Sequence, residues 1–165
     1  MTWYPGQRGG DAIADILFRK YNPAGSLPVK FYKSTKEFPD FTNYNMRAGK
    51  GFTYRYYKGE ALYPSGHGLS YSKFKYSDLK IDKTIINKND ELNISVTIKN
   101  IEKFDGDDVV QLYVKDIKSD KWMAIKQLRK FERINLKKSE DKTITFKLNI
   151  EEDLRYYNST LRKYM

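Results

Sequence analysis

The sequence predicts a mostly β chain: a β-sandwich in its C-terminal part, preceded by a turn-rich, partly helical segment. Two observations carry that reading. Strict apolar–polar alternation recurs along residues 72–165. Glycine and proline concentrate on the other side, with all five prolines at or before Pro64 and nine of the ten glycines at or before Gly68. A boundary therefore falls near residue 71, and no internal repeat is visible.

Taken in order, Asp11 to Phe18 reads as a short amphipathic helix with Ala12, Ile13, Ile16 and Leu17 on one side, after Gly9-Gly10 and before the turn Asn22-Pro23-Ala24-Gly25. Leu27-Pro28-Val29 reads as a short strand, and residues 30–51 show no sustained period. A helix and one short strand bury too little apolar surface to fold alone. The segment is therefore expected to be the end of a larger α/β domain.

Thr53 to Tyr71 holds five tyrosines, three glycines and a proline in nineteen residues. Neither a helical nor a strand period explains that density, so an ordered, packed connector is expected. Gly66 and Gly68 flank the single histidine, His67, and point to backbone that residues with a Cβ avoid.

Beyond it, Phe74–Ile81 and Gln127–Leu136 read as weaker strands. Leu92, Ile94, Val96 and Ile98 alternate with polar residues. So do Val110, Leu112 and Val114, and again Ile144, Phe146, Leu148 and Ile150. Asp105-Gly106-Asp107 and Lys137–Asp141 read as turns. Short antiparallel strands at this spacing argue for a sandwich of the immunoglobulin or fibronectin type III kind.

Composition narrows the function. There are no cysteines and one histidine, so a disulfide framework is excluded and neither a zinc site nor any cofactor is expected. No apolar run approaches a membrane span and the N-terminus is not a signal peptide, so no membrane partner is expected and the chain reads as cytoplasmic as written. The net charge of +10 is dispersed: residues 1–70 carry ten Lys/Arg against five Asp/Glu, and residues 71–165 carry twenty-one against sixteen. That is a lysine-rich solvated surface rather than a basic tail, and no nucleic-acid partner is expected.

Three ordered motifs then resemble glycoside hydrolase family 3. Trp3-Tyr4-Pro5-Gly6-Gln7-Arg8-Gly9-Gly10, with Ala12 to Phe18 and Tyr21 to Pro28, is similar to the family's WYPGQ-GG-AIADVLFG-YNPSG-LP pattern. Thr53-Tyr54-Arg55-Tyr56 and Leu62 to Tyr71 are similar to its TYRY…LYPFGHGLSY element. Asp107 to Val114 and Leu128 to Phe131 resemble strands of its C-terminal fibronectin type III-like domain. The resemblance implies residues 1–52 as the C-terminal remnant of an α/β sandwich domain and residues 53–71 as an inter-domain linker. It implies residues 72–165 as a fibronectin type III-like domain lacking its last strand.

It also implies a parent that hydrolyses terminal β-xylosyl or β-glucosyl residues with retention, of which this chain is an accessory, domain-docking part, inactive alone. The partners implied are the parent's catalytic domains and β-linked oligosaccharide. A free-standing carbohydrate- or protein-binding module is the alternative. Ser65 stands where the family has Phe, and Arg19 where the helix ends in Gly.

No catalytic residue is assigned. Retaining glycosidases need two carboxyl groups about 5–5.5 Å apart, and the family's nucleophile and acid/base motifs do not occur here. Asp11, Asp15, Glu37, Asp40 and Glu60 are the acids before residue 71; Asp11 and Asp15, four apart on one helix face, read as solvated helix acids, and catalysis is carried onto none of the five. His67 with Ser70 lacks a nucleophile-elbow sequence, and Gly6, Gly9 and Gly10 lack the Walker lysine. These, with Trp3, Pro5, Tyr54, Arg55, Tyr56, Gly66, Gly68 and Tyr71, are read as structural. Trp122, in a polar loop, is expected to touch either sugar or a neighbouring domain. Asn93-Ile94-Ser95 and Asn158-Ser159-Thr160 match the glycosylation pattern, which arises often by chance. A missing strand would leave a sheet edge open to homo-oligomer formation.

Overall fold

The computed structural model describes residues 2–38, 40–118, 123–158 and 163–164. Among them the elements run α1 (Gly9–Leu17), β1 (Phe31–Tyr32), a 3-10 turn (Thr35–Glu37), α2 (Thr53–Tyr56) and β2 (Ala61–Tyr63). There follow β3 (Phe74–Ile81), β4 (Glu91–Asn100), β5 (Gly106–Val114), β6 (Gln127–Leu136), β7 (Asp141–Asn149), α3 (Ile150–Asp153), β8 (Tyr157–Asn158) and β9 (Lys163–Tyr164). The chain is mostly β, as expected. It divides into two compact units, one of residues 1–71 with 106–135, the other of residues 72–105 with 136–165.

In the second unit β3, β4 and β7 form an antiparallel sheet in that order. The register follows from the alternation. Val96 faces Ile144, Ile94 faces Phe146 and Leu92 faces Leu148 across β4 and β7. All six are buried, as is Ile98. Slipping the register by one residue would turn this apolar row to water. Burying each such side chain contributes about 1.5–3 kcal/mol. Asn100 ends β4 fully buried and donates from Nδ2 to Phe104 O (2.7 Å) and Leu136 O (3.2 Å). Its Oδ1 accepts from Glu102 N at 3.1 Å, so one side chain closes the turn into β5.

The first unit holds α1, the β1–β2 pair, α2 and the β5–β6 pair. Helix α1 ends in two stacked turns: Arg19 N donates to Ile16 O (3.0 Å) and Lys20 N to Asp15 O (2.8 Å). This is the Schellman arrangement, whose left-handed residue is usually glycine. Here Arg19 occupies it, at φ 60°.

Several expectations are corrected. Leu27–Val29 is not a strand: Leu27 N donates to His67 O and Leu27 O accepts from Gly66 N, and Pro28 has no N–H to offer. The strand comes later, at Phe31–Tyr32. Gly106 opens β5 instead of sitting in a turn, because Asn100 has already closed the reversal. Ile150 leaves the β7 alternation because Asn149 caps α3, its Oδ1 accepting from Glu152 N at 3.1 Å. In β5 only Gly106 and Val110 are buried; Leu112 and Val114 are half-buried. Gly9 and Gly10 belong to α1 itself. Thr53–Tyr71 contains regular structure after all, α2 and β2.

Candidate functional site

The tyrosine-rich segment becomes a site through what α2 touches in its own unit. Arg55 Nη2 donates to Gln127 Oε1 at 3.1 Å, and Arg55 O accepts from Ile125 N at 2.6 Å. Tyr54 Oη accepts from Leu128 N at 3.3 Å, while its ring meets Tyr113 edge-on at 5.8 Å. A four-residue helical turn thus holds the approach to β6 by backbone and side chain together. Thr53 enters the turn at φ 54°, a costly backbone for a β-branched residue. Tyr32 Oη accepts its N–H at 2.9 Å. Tyr56 carries the guanidinium groups of Arg47 at 5.1 Å and Arg55 at 5.8 Å.

The rest of the motif binds the N-terminal stretch. Asn22 Oδ1 accepts from Ser70 Oγ (2.8 Å) and Tyr71 N (3.0 Å), and Tyr71 Oη donates to Ile16 O (2.8 Å). Gly66 has φ 87°, as its sequence context suggests. Gly68 does not; it is glycine because a Cβ there would lie 2.9 Å from Gly25 O. Gly9 answers to the same constraint, since its Cβ would fall 2.4 Å from that of Pro5. Gly9 N donates to Gly6 O at 2.9 Å. At Gly10 a Cβ would meet open space, and Trp3 is exposed, at φ 49°. Trp122 lies outside the described residues.

His67 and Ser70 each have another described partner. The His67 ring lies 5.1 Å from that of Tyr63, and Ser70 spends its proton on Asn22. The acids are equally committed. Asp11 pairs with Arg8 (3.0 Å), Asp15 with Lys20 (3.6 Å) and Glu60 with Lys33 (2.7 Å). Glu37 accepts from Lys50 Nζ at 2.9 Å and from the buried Tyr57 hydroxyl. Asp40 accepts from Thr42 N at 2.8 Å. A general acid needs a raised pKa. The Lys50 and then the Tyr57 hydrogen bonds hold Glu37 below the usual carboxylate range, and the Thr42 bonds do the same for Asp40. Among the described residues no group of His, Asp and Glu forms a metal centre, and no helix is long and apolar enough to cross a membrane.

Sequence reasoning missed Asn22, Gln127, Tyr113 and the Glu37–Tyr57 pair. Only Asn22 had a signal, its place in Tyr-Asn-Pro, and that read as a turn alone.

Comparison with known proteins decides the lineage. Residues 1–71 match the family described as "Glycosyl hydrolase family 3 C-terminal domain", and residues 108–165 match "Fibronectin type III-like domain". The chain belongs to glycoside hydrolase family 3 and corresponds to the C-terminal part of its members. Among family 3 relatives, a "Thermostable beta-glucosidase B" from Acetivibrio thermocellus is 41% identical over 95% of this chain and 22% of its own length. A "Beta-xylosidase" from Formosa agariphila is 41% identical over 98% of this chain and 22% of its own length. The crystal structure of the Bifidobacterium adolescentis GH3 beta-glucosidase superposes at a TM-score of 0.84 with 30% identity, covering 98% of this chain and 25% of that one. The chain thus spans about a fifth of the length of the curated relatives it matches.

Proposed function

We propose that this chain is an accessory, domain-docking part of a retaining β-glycosidase whose catalytic carboxylates lie elsewhere, and that alone it hydrolyses nothing. The parent acts on terminal β-xylosyl or β-glucosyl residues, in keeping with the β-xylosidases and β-glucosidases it resembles. Residues 1–52 then end the α/β sandwich domain, residues 53–71 link, and residues 72–165 form the fibronectin type III-like domain. The observation that carries this is the grip of Tyr54 and Arg55 on residues 125–128. A motif next to the N-terminal segment is spent on fastening it to a β strand, and its one acid, Glu60, pairs with Lys33.

The exposed rings of Tyr4, Phe18, Phe41 and Tyr44 supply a surface for the catalytic domains to cover. The deciding experiment is hydrolysis of aryl β-xyloside and aryl β-glucoside by the purified chain at high concentration. No turnover is expected. Turnover that survives repurification would overturn the proposal and return attention to Asp11, Asp15, Glu37, Asp40 and Glu60.

A further inference from the structure

In the second unit the outward face of the β3–β4–β7 sheet is made of lysines and hydroxyls. We propose that it binds a carboxylated polysaccharide, with uronate carboxylates on Lys75, Lys80 and Lys99 and sugar hydroxyls on the serines and threonines between them. The choice of a sugar polymer draws on the glycosidase reading above; the choice of an anionic one rests on the face.

Strand pairing fixes which side chains share that face. Lys75 lies opposite Lys99, Ser77 opposite Thr97 and Lys80 opposite Ser95 across β3 and β4. Across β4 and β7, Lys99 lies opposite Asp141, Thr97 opposite Thr143 and Ser95 opposite Thr145. Directly opposed residues stand on one side of a sheet. Their chain neighbours Val96, Ile98 and Ile144 are buried on the other. Five hydroxyl side chains thus fill two adjacent rows, with Lys75 and Lys99 in the row beyond and Lys80 at the far end on β3. Ser95 and Thr97 are half-buried and the rest exposed. The Lys75 and Lys80 rows are separated by about 13–14 Å along β4, long enough for more than one sugar ring.

Lys75 and Lys99 are like charges directly opposite one another, which costs stability. Asp141 stands on the other side of Lys99, yet among the described residues none of the three lysines forms an ion pair. The nearby acids have other partners: Glu91 is engaged by Lys147 at 2.7 Å and Asp78 by Ser77 Oγ at 3.0 Å. Guarding an edge does not account for Lys99, which lies on the central strand. A local cost with no structural return points to a site kept for function. The paired outward positions carry no aromatic or apolar side chain. They offer nothing to stack nucleic-acid bases, no apolar face to enter a membrane and no aromatic anchor for a protein partner. Hydroxyls that both donate and accept suit a sugar chain, and Thr97 and Thr143 already share such a bond at 2.8 Å.

Affinity electrophoresis of the purified chain at about 0.15 M ionic strength, where long-range attraction is screened, tests this with polygalacturonate, hydroxyethylcellulose and polyacrylate. Polygalacturonate is expected to bind about tenfold tighter than the neutral hydroxyethylcellulose. Lys75→Gln with Lys99→Gln should weaken that binding about tenfold, whereas Lys115→Gln with Lys118→Gln, the same loss of charge in the first unit, should change it less than about twofold. Thr143→Ala with Thr145→Ala should weaken binding of polygalacturonate but not of polyacrylate, which has carboxylates and no hydroxyls. Equal weakening by the two lysine pairs would leave only dispersed charge. Indifference to the threonine pair would reduce the face to an ion exchanger, and hydroxyethylcellulose binding as tightly would remove the role of the lysines. A DNA duplex binding more tightly through the same lysines would give the face to nucleic acid. Each of these overturns the proposal. Should a variant fail to fold, lysine acetylation of the unaltered chain decides: polygalacturonate should shield Lys75, Lys80 and Lys99 but not Lys115 or Lys118, and uniform shielding or none overturns it. Loss of this proposal leaves the accessory reading intact, and hydrolysis of the aryl glycosides would sink the accessory reading without touching the sheet face.

Discussion

Folding alters the chemistry of Tyr57. Its buried hydroxyl donates to Glu37, and that bond, followed by desolvation, raises its pKa from 10.0 to about 12. A raised folded pKa means that the contribution is fully present below pH 10 and is lost as pH climbs toward about 12. Glu37 shows the opposite sign. Its lowered pKa gives stability that is present above the ordinary carboxylate value of about 4.3 and lost as pH falls through the folded value. A spectroscopic alkaline titration should therefore show Tyr57 ionising near pH 12, and Tyr57→Phe should remove that late phase.

Arg19 makes a second residue-scale prediction. Its left-handed backbone costs about 1 kcal/mol relative to glycine, but its guanidinium lies 5.0 Å from the Tyr71 ring, worth about 0.5–1 kcal/mol at an exposed site. The two nearly cancel. Arg19→Gly should leave the urea midpoint almost unchanged, whereas Arg19→Ala, which keeps the strain and loses the ring contact, should lower stability by about 1 kcal/mol.

At the scale of elements, α2 and the end of β4 bear the most weight. Tyr54→Phe leaves the ring against Tyr113 and deprives the part-buried Leu128 N–H of its acceptor, so a loss of about 1–3 kcal/mol is expected by denaturant titration. Asn100→Leu should cost at least as much, because the buried carbonyl of Leu136 and the part-buried N–H of Glu102 lose their partner.

The elements differ in how far they were legible. The β4 and β7 faces were, because one side is buried and the other wet, and period two records that directly. Phe74–Ile81 and Gln127–Leu136 also fall where pattern placed them. Leu112 and Val114 misled because every side chain of β5 beyond Val110 is half-buried, so alternation in sequence finds no matching alternation in exposure. The Tyr54–Leu128 and Ser70–Asn22 contacts span 74 and 48 residues, and no local pattern records a partner so remote. Gly68 was expected to have backbone that a Cβ disfavours, whereas what meets it is a close approach, to Gly25 O.

For the whole molecule, the absence of hydrolysis is the first expectation, and association the second. The β3 edge is poorly suited to pairing with another chain. It is interrupted between Ser77 and Lys80, with Asp78 at φ 53°, and lysines flank the break. Irregularity and charge are the devices that keep edges single. Any self-association of the chain is therefore expected to spare β3. Sedimentation at rising concentration should give the same profile for the chain and for Ser77→Val, a change on that edge. A shift confined to the variant would mean that β3 takes part.

The first unit is completed only by residues 106–135, and that imposes an order of events on the ribosome. Once residue 71 has been made, Tyr54 and Arg55 have nothing to grasp until residues 125–128 emerge. At about 5–20 residues per second α2 waits roughly 3–11 s without those partners. During that interval it is a natural client for a chaperone, and slowing synthesis between residues 71 and 135 should lower the yield of folded protein more than slowing it after residue 135.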